Sequence, residues 1–233
     1  MKKGIVVVTI LLLIASIAFT VVVKTVDVQA IGPEGSEVGL ASINGPIHDE
    51  LPFNDGMYML SKLSGLVPFG CVAGFAIFGL YQLITRGGFG KVDKRLYALL
   101  FFYILMVIVY IFFEKVIINY RPIIKDVEEG LEASYPSSHT LLAVCICMST
   151  VILVREFMED ALLRRFTIIC SLTLMLFIVI TRILSGVHWA TDIMGGLLIS
   201  MFLLSFLKSM ICAINAGKNK SNNMSNSKSR RER

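Results

Sequence analysis

Six long apolar runs separated by short polar segments organise this chain. They cover residues 5–23, 64–83, 97–113, 140–154, 166–181 and 192–211. Each is near the length of roughly 20 residues that a helix needs to cross about 30 Å of hydrocarbon. The pattern predicts an all-α, polytopic membrane protein with six transmembrane helices. The first run follows Met1-Lys2-Lys3. It is longer than the roughly 7–15 apolar residues of a cleavable signal and reads as an uncleaved anchor, although Val28-Gln29-Ala30 offers a small-residue cleavage candidate.

The segments between the runs read as turns and loops. Residues 24–57 are polar and acidic, with Gly32-Pro33 and Gly45-Pro46 as turn signals, and are expected to form an external loop. His48 lies among that loop's acids and reads as a solvated histidine. Gly70 and Gly74 have the spacing that lets a neighbouring helix approach closely. The glycine-rich stretch from Arg86 to Arg95 has no Ser or Thr after Lys91, and it reads as a basic turn rather than a phosphate loop. Residues 1–213 form one six-span domain, and the polar, basic residues 214–233 are expected to be a disordered cytoplasmic tail.

Composition agrees with this layout. A hydrophobic fraction of 55%, a charged fraction of 17% and a mean hydropathy of +0.75 exclude an ordinary soluble domain. The five cysteines all fall in or directly beside the apolar runs, which argues against a disulfide framework or zinc site and for small hydrophobes. Sorting the charges by segment places sixteen Lys and Arg on one side and six on the other. The positive-inside rule then makes both termini cytoplasmic in a multi-pass plasma-membrane protein. The external segments carry an excess of acids, so Lys115, Arg121 and Arg182 stand out there.

Topology brings three polar islands, residues 114–122, 135–140 and 181–192, to the external ends of spans. The roughly forty residues between His139 and Thr181 suffice for two crossings, so the chain leaves that face and returns to it. His139 and His188 thus meet two arginines and a lysine at one membrane level. Guanidinium groups bind phosphate oxygens bidentately, and Pro136-Ser137-Ser138 before a helix offers free backbone N–H groups to an anion. In a helix, His188 and Asp192 would share a face, letting the carboxylate hydrogen-bond and orient the imidazole as a nucleophile toward phosphorus. A second, protonated histidine would donate to the leaving oxygen. Each piece also has a plainer reading: a helix-start salt bridge for His188 and Asp192, interface anchors for the arginines, a helix cap for Ser137, an interfacial histidine for His139, and a belt residue for Trp189.

Together the islands resemble the site motif of the type 2 phosphatidic acid phosphatase (PAP2) superfamily of membrane lipid phosphatases. The motif joins Lys-(x6)-Arg-Pro, Pro-Ser-Gly-His and Ser-Arg-(x5)-His-(x3)-Asp. This chain has Arg121-Pro122, Pro136-Ser137-Ser138-His139 and Thr181-Arg182-(x5)-His188-(x3)-Asp192. It departs in having Ser138 for Gly and Thr181 for Ser. Glu114 also occupies the pattern's lysine place, with Lys115 one position short. The resemblance implies that His188 attacks phosphorus, Asp192 orients it, and His139 protonates the leaving oxygen and then activates water. Arg121, Arg182, Lys115, Ser137 and the Ser138 backbone would hold the phosphoryl oxygens; Lys115 could otherwise snorkel at the interface. No metal or other cofactor is implied. The expected partners are the bilayer and a lipid phosphate substrate, with no nucleic acid. Undecaprenyl diphosphate, phosphatidylglycerophosphate and phosphatidic acid are the candidate substrates, the prenyl diphosphate preferred. The alternatives are a non-catalytic membrane scaffold or a transporter that retains the motif.

Overall fold

The computed structural model describes residues 3–231 apart from 126, 127 and 129, with side chains as far as residue 218. Eight helices follow in order: α1 (Lys3–Thr25), α2 (Ala41–Glu50), α3 (Asp55–Ser64), α4 (Pro68–Arg86), α5 (Lys94–Lys115), α6 (Ser138–Phe157), α7 (Ala161–Leu184) and α8 (Ala190–Arg231). Among the described residues there is no strand, only isolated bridges between Gln29 and Val38 and between Tyr120 and Ala133. Among the described residues six segments are long and apolar enough to cross a membrane, and each contains one of the six expected runs. The fold is therefore all-α with six spans. The second span, Asp55–Arg86, is longer than the apolar run because α3 feeds α4 across a break at residues 65–67.

Helix boundaries follow local chemistry. The side chains of Asn54, Asp93 and Asp160 accept hydrogen bonds from Met57, Arg95 and Leu163 N–H at the starts of α3, α5 and α7. Gly87 ends α4 in the left-handed conformation. The backbone of α8 continues helical through Arg231, across the polar tail for which the sequence predicts disorder. That run holds no proline to stop it, and its side chains from 219 onward lie outside the described residues.

Helix α6 is the central element. It is the most buried of the six spans and packs against α7 and α8, with α4 and α5 also touching it. Its small residues Ala143, Cys145, Cys147, Ser149 and Thr150 are all buried, which permits close helix approach. Helix α1 lies along α8 through Thr9, Ser16 and Val23, spaced every seven residues, and Thr9 Oγ1 is 2.8 Å from Ser205 Oγ. Its other faces expose Val7, Ile10, Leu11, Ile14 and Ile17, as a lipid-facing helix should.

The expected external loop is partly helical and tightly docked. Helix α2 sits over the start of α8, and Asn44, fully buried, donates to Gly39 O (2.8 Å) and Thr191 Oγ1 (2.9 Å) and accepts from Thr191 N–H (3.2 Å). Residues 185–189 are held from the other side: Asn54 N–H donates to Ser185 O, and Gly186 takes a φ of 64° against Pro52. A Cβ at Gly186 would lie 2.6 Å from the Pro52 carbonyl, so the turn before α8 requires glycine.

Candidate active site

The ends of α5, α6, α7 and α8 converge with the connector between α5 and α6, which folds back on itself. Arg121 N–H donates to Glu132 O and Ser134 N–H to Asn119 O, so Arg121 and Ser134 face the start of α8 from adjacent arms of a short hairpin. Ser137 N–H then donates to Asp192 O, fixing the start of α6 against α8. Gly195 allows this approach, since a Cβ there would lie 2.3 Å from the Tyr135 ring.

Asp192 is the third residue of α8 and is fully buried. Its Oδ2 accepts from Trp189 N–H at 2.9 Å, which caps the helix start. Asn119 Nδ2 lies 3.4 Å from its Oδ1. The expected direct bond to His188 does not form: Nδ1 and Oδ2 are 3.7 Å apart, too far for a hydrogen bond. His188 precedes the first turn of α8, so the helical four-residue relation does not apply. The hydroxyl of Ser134 fills the gap, 2.9 Å from Nδ1 and 2.5 Å from Oδ2.

The direction of this chain is set by its far end. Arg182 Nη2 is 2.8 Å from His188 Nε2, and guanidinium can only donate, so Nε2 carries the lone pair. Nδ1–H then donates to Ser134 Oγ, and the hydroxyl donates to Asp192. Burial, reinforced by the charges of Arg182 and Arg121, holds the His188 imidazole well below its usual pKa, so it is a neutral base. The lone pair on Nε2 is the one a nucleophile needs.

The groups around His188 carry unmatched polar atoms. Among the described residues, Nε and Nη1 of Arg182, Nε of Arg121 and Nδ1 of His139 are buried without a hydrogen-bond partner. Buried polar atoms are costly to leave unmatched, and an anion bound here would satisfy the arginine donors. Arg121 is braced through Nη1 on Glu132 Oε2 at 2.9 Å. Arg182, only 1% exposed, lies over the Tyr58 ring at 5.5 Å. Lys125 sits 3.7 Å above the same ring and donates to its hydroxyl.

The structure thus brings together Arg121, Arg182, His188 and Asp192, with His139 facing the same cations. Ser138 lines a small cavity with His188, Ser134 and Glu114. Ser137 is fully buried and its hydroxyl accepts from Thr140, so it is not the side-chain cap of α6. Lys115 is exposed at the end of α5. The cations that act electrostatically on His139 are Arg182, Arg121, Lys62 and Lys125. Trp189 is not a belt residue: it is 2% exposed, and its indole donates to Tyr120 O at 2.7 Å. Ser134, Asn119, Asn44, Tyr58 and Lys125 belong to no element of the sequence motif, and only the fold reveals them.

A model of the PAP2 superfamily matches residues 96–214, which contain all three polar islands and every charged group of this cluster except Lys62. The chain belongs to the PAP2 superfamily. Its PAP2 fold is similar to a crystal structure described as the first transmembrane PAP2 type phosphatidylglycerolphosphate phosphatase from Bacillus subtilis. The TM-score is 0.58 at 16% identity, over 88% of this chain and 96% of that one. At that identity the likeness establishes a common fold. No curated protein matches the sequence. The PAP2 match begins within α5, so α1 to α4, including the docked α2, lie outside it.

Proposed function

We propose that this PAP2 protein is a membrane phosphatase that hydrolyses a lipid phosphate or diphosphate through a phosphohistidine. The observation that carries the reading is the Asp192–Ser134–His188–Arg182 chain, which leaves Nε2 as a buried, neutral lone pair beside unmatched arginine donors. Substrate phosphoryl oxygens draw the Arg182 guanidinium off Nε2, and Nε2 attacks phosphorus. The P–O bond to the lipid breaks as His139 gives its proton to the departing oxygen. Positive charge on the His188 ring is stabilised through Ser134 by Asp192. Water then attacks the phosphohistidine, His139 takes its proton, and inorganic phosphate leaves with His188 restored. Arg121 and Arg182 match the charge that builds on the phosphoryl oxygens. Lys125 and Lys62 add to the field, and the Ser138 backbone at the start of α6 offers N–H groups.

The charge asymmetry of the loops supports a site on the external face with both termini cytoplasmic. There the hydrocarbon stays in the bilayer while the headgroup reaches the cations. Undecaprenyl diphosphate, phosphatidylglycerophosphate and phosphatidic acid all meet this chemistry.

The test is release of inorganic phosphate from these lipids in detergent with chelator present. Turnover is expected for at least one, with inhibition by vanadate, and acid-labile phosphate on the protein after rapid quenching. Full turnover by His188→Ala would overturn the nucleophile assignment, and loss of all activity on chelation would point to a metal-dependent route.

A further inference from the structure

A second cavity opens beside His188. Its volume is about 220 Å³, and its walls are α2, the end of α7 and the first turns of α8. Ile47, Leu51, Ile183, Ile193, Met194 and Leu197 make it apolar. Ile183 and Met194 are 38% and 53% exposed on the membrane-spanning surface, so the wall borders hydrocarbon. His48 is the one polar side chain lining it besides His188.

His48 is placed there deliberately by the fold. It lies one helical turn after Asn44, on the face of α2 that the buried Asn44 bonds pin to Thr191. Its ring meets Trp189 edge-on at 5.2 Å. Among the described residues its Nδ1 is buried without a hydrogen-bond partner. This differs from the solvated histidine that the loop's acids predict, and the reason is the docking of α2 onto α8.

We propose that this cavity receives the first part of the substrate's lipid chain and that His48 hydrogen-bonds an uncharged oxygen of the linker between phosphate and hydrocarbon. The inference rests on the phosphatase reading and narrows it to glycerol-based lipid phosphates, whose hydroxyl or ester oxygens lie a few bonds from phosphorus. A prenyl chain has no such oxygen. The second phosphate of a prenyl diphosphate fits poorly, since no Lys or Arg lines the cavity and Asp49 adjoins His48. Burial lowers the His48 pKa, so a neutral ring is what faces the cavity.

The experiment measures kcat/KM for phosphatidic acid and for a prenyl diphosphate in mixed micelles, using the full chain. His48→Phe keeps the ring edge against Trp189 but has no Nδ1, whereas His48→Asn puts an amide group near the Nδ1 position. His48→Phe is expected to lower the phosphatidic acid to prenyl diphosphate ratio about tenfold, the scale of one lost hydrogen bond in a dry site, with His48→Asn keeping most of it. An unchanged ratio in His48→Phe, or equal loss in both variants, overturns the proposal. If His48→Phe does not accumulate, Met194→Trp fills the cavity from its exposed wall. It should raise KM for long-chain phosphatidic acid relative to p-nitrophenyl phosphate, and no change overturns the proposal. Phosphate release by the unaltered chain from none of phosphatidic acid, phosphatidylglycerophosphate and the prenyl diphosphate would overturn the phosphatase reading itself.

Discussion

Nη2 of Arg182 lies 2.8 Å from Nε2 of His188, so the guanidinium covers the lone pair that the proposed mechanism directs at phosphorus. Nε and Nη1 of the same arginine are buried and unmatched, which gives it donors to spare for phosphoryl oxygens. The proposed mechanism therefore gives Arg182 two tasks, holding Nε2 unprotonated and then binding the transferring group. Arg182→Ala should lower kcat/KM by roughly 10²–10³, the scale for one preorganised donor. Arg182→Lys should recover little, since a point charge lacks the planar fork. Removing the cation should also move the acid limb of the pH–rate profile upward as His188 becomes more basic. A profile that does not move would deny the contact any role in tuning the nucleophile.

The Ser134 hydroxyl connects a carboxylate and an imidazole that do not touch. Ser134→Ala should leave His188 Nδ1 facing the 3.7 Å gap to Asp192 and lower kcat about 10–100-fold, with KM little changed. Ser134→Thr, which keeps the hydroxyl, should restore most of the turnover. Steady-state kinetics on the two variants checks this, and equal loss in both would mean that Ser134 only packs.

Much of this was legible because membrane helices write themselves as long apolar runs, and because the motif residues sit at helix ends that the topology forces together. Arg182, His188 and Asp192 could be named as candidates from their shared membrane level and from the resemblance of the three islands to the PAP2 motif. The spacing misled on how they touch: His188 lies in the turn before α8, so a helical four-residue relation could not anticipate the intervening serine. Ser134, Asn119 and Asn44 were illegible because their roles come from hydrogen bonds across up to 147 residues of sequence. Trp189 and His48 look like surface residues until α2, hidden within an acidic loop, is seen docked on α8.

The two lysines nearest the motif should separate cleanly. Lys115 is exposed at the end of α5, whereas Lys125 contacts Tyr58 and acts electrostatically on His139. Lys125→Ala should raise KM or lower kcat/KM by about tenfold, the worth of one charge-assisted contact of roughly 1.4 kcal/mol. Lys115→Ala should stay within about twofold. The reverse order would restore Lys115 as the phosphate ligand and imply an overwound end of α5.

His188 also makes the fold sensitive to acid. Its pKa is depressed in the folded protein by burial and by Arg182 and Arg121, so below about pH 6.5 the unfolded chain binds a proton that the folded chain does not. Stability contributed by the neutral ring is therefore complete above that pH and is lost as pH falls toward the folded pKa. The slope for one such group approaches about 1.4 kcal/mol per pH unit. His48, depressed mainly by burial, adds to it with the same sign. Unfolding in detergent followed from pH 7.5 to 5 should show a falling midpoint, and His188→Gln should flatten that fall by about one proton.

Asn44 offers the sharpest test of how the external segment supports the site. Its side chain is fully buried and holds both groups of Thr191, the residue before Asp192. Asn44→Ala would leave the Thr191 N–H, its hydroxyl and the Gly39 carbonyl without their side-chain partner, and each unmatched buried group costs about 1–3 kcal/mol. Relaxation of α2 would recover part of this, so a loss of about 2–4 kcal/mol is expected, with activity falling because the start of α8 carries Asp192. Thr191→Val alone removes one acceptor and should cost less. In the double variant the costs should fail to add by at least about 1 kcal/mol, because the two residues share their bonds. Additive losses in detergent unfolding would instead mean that α2 and α8 are stabilised separately, and that the docked segment does not brace Asp192.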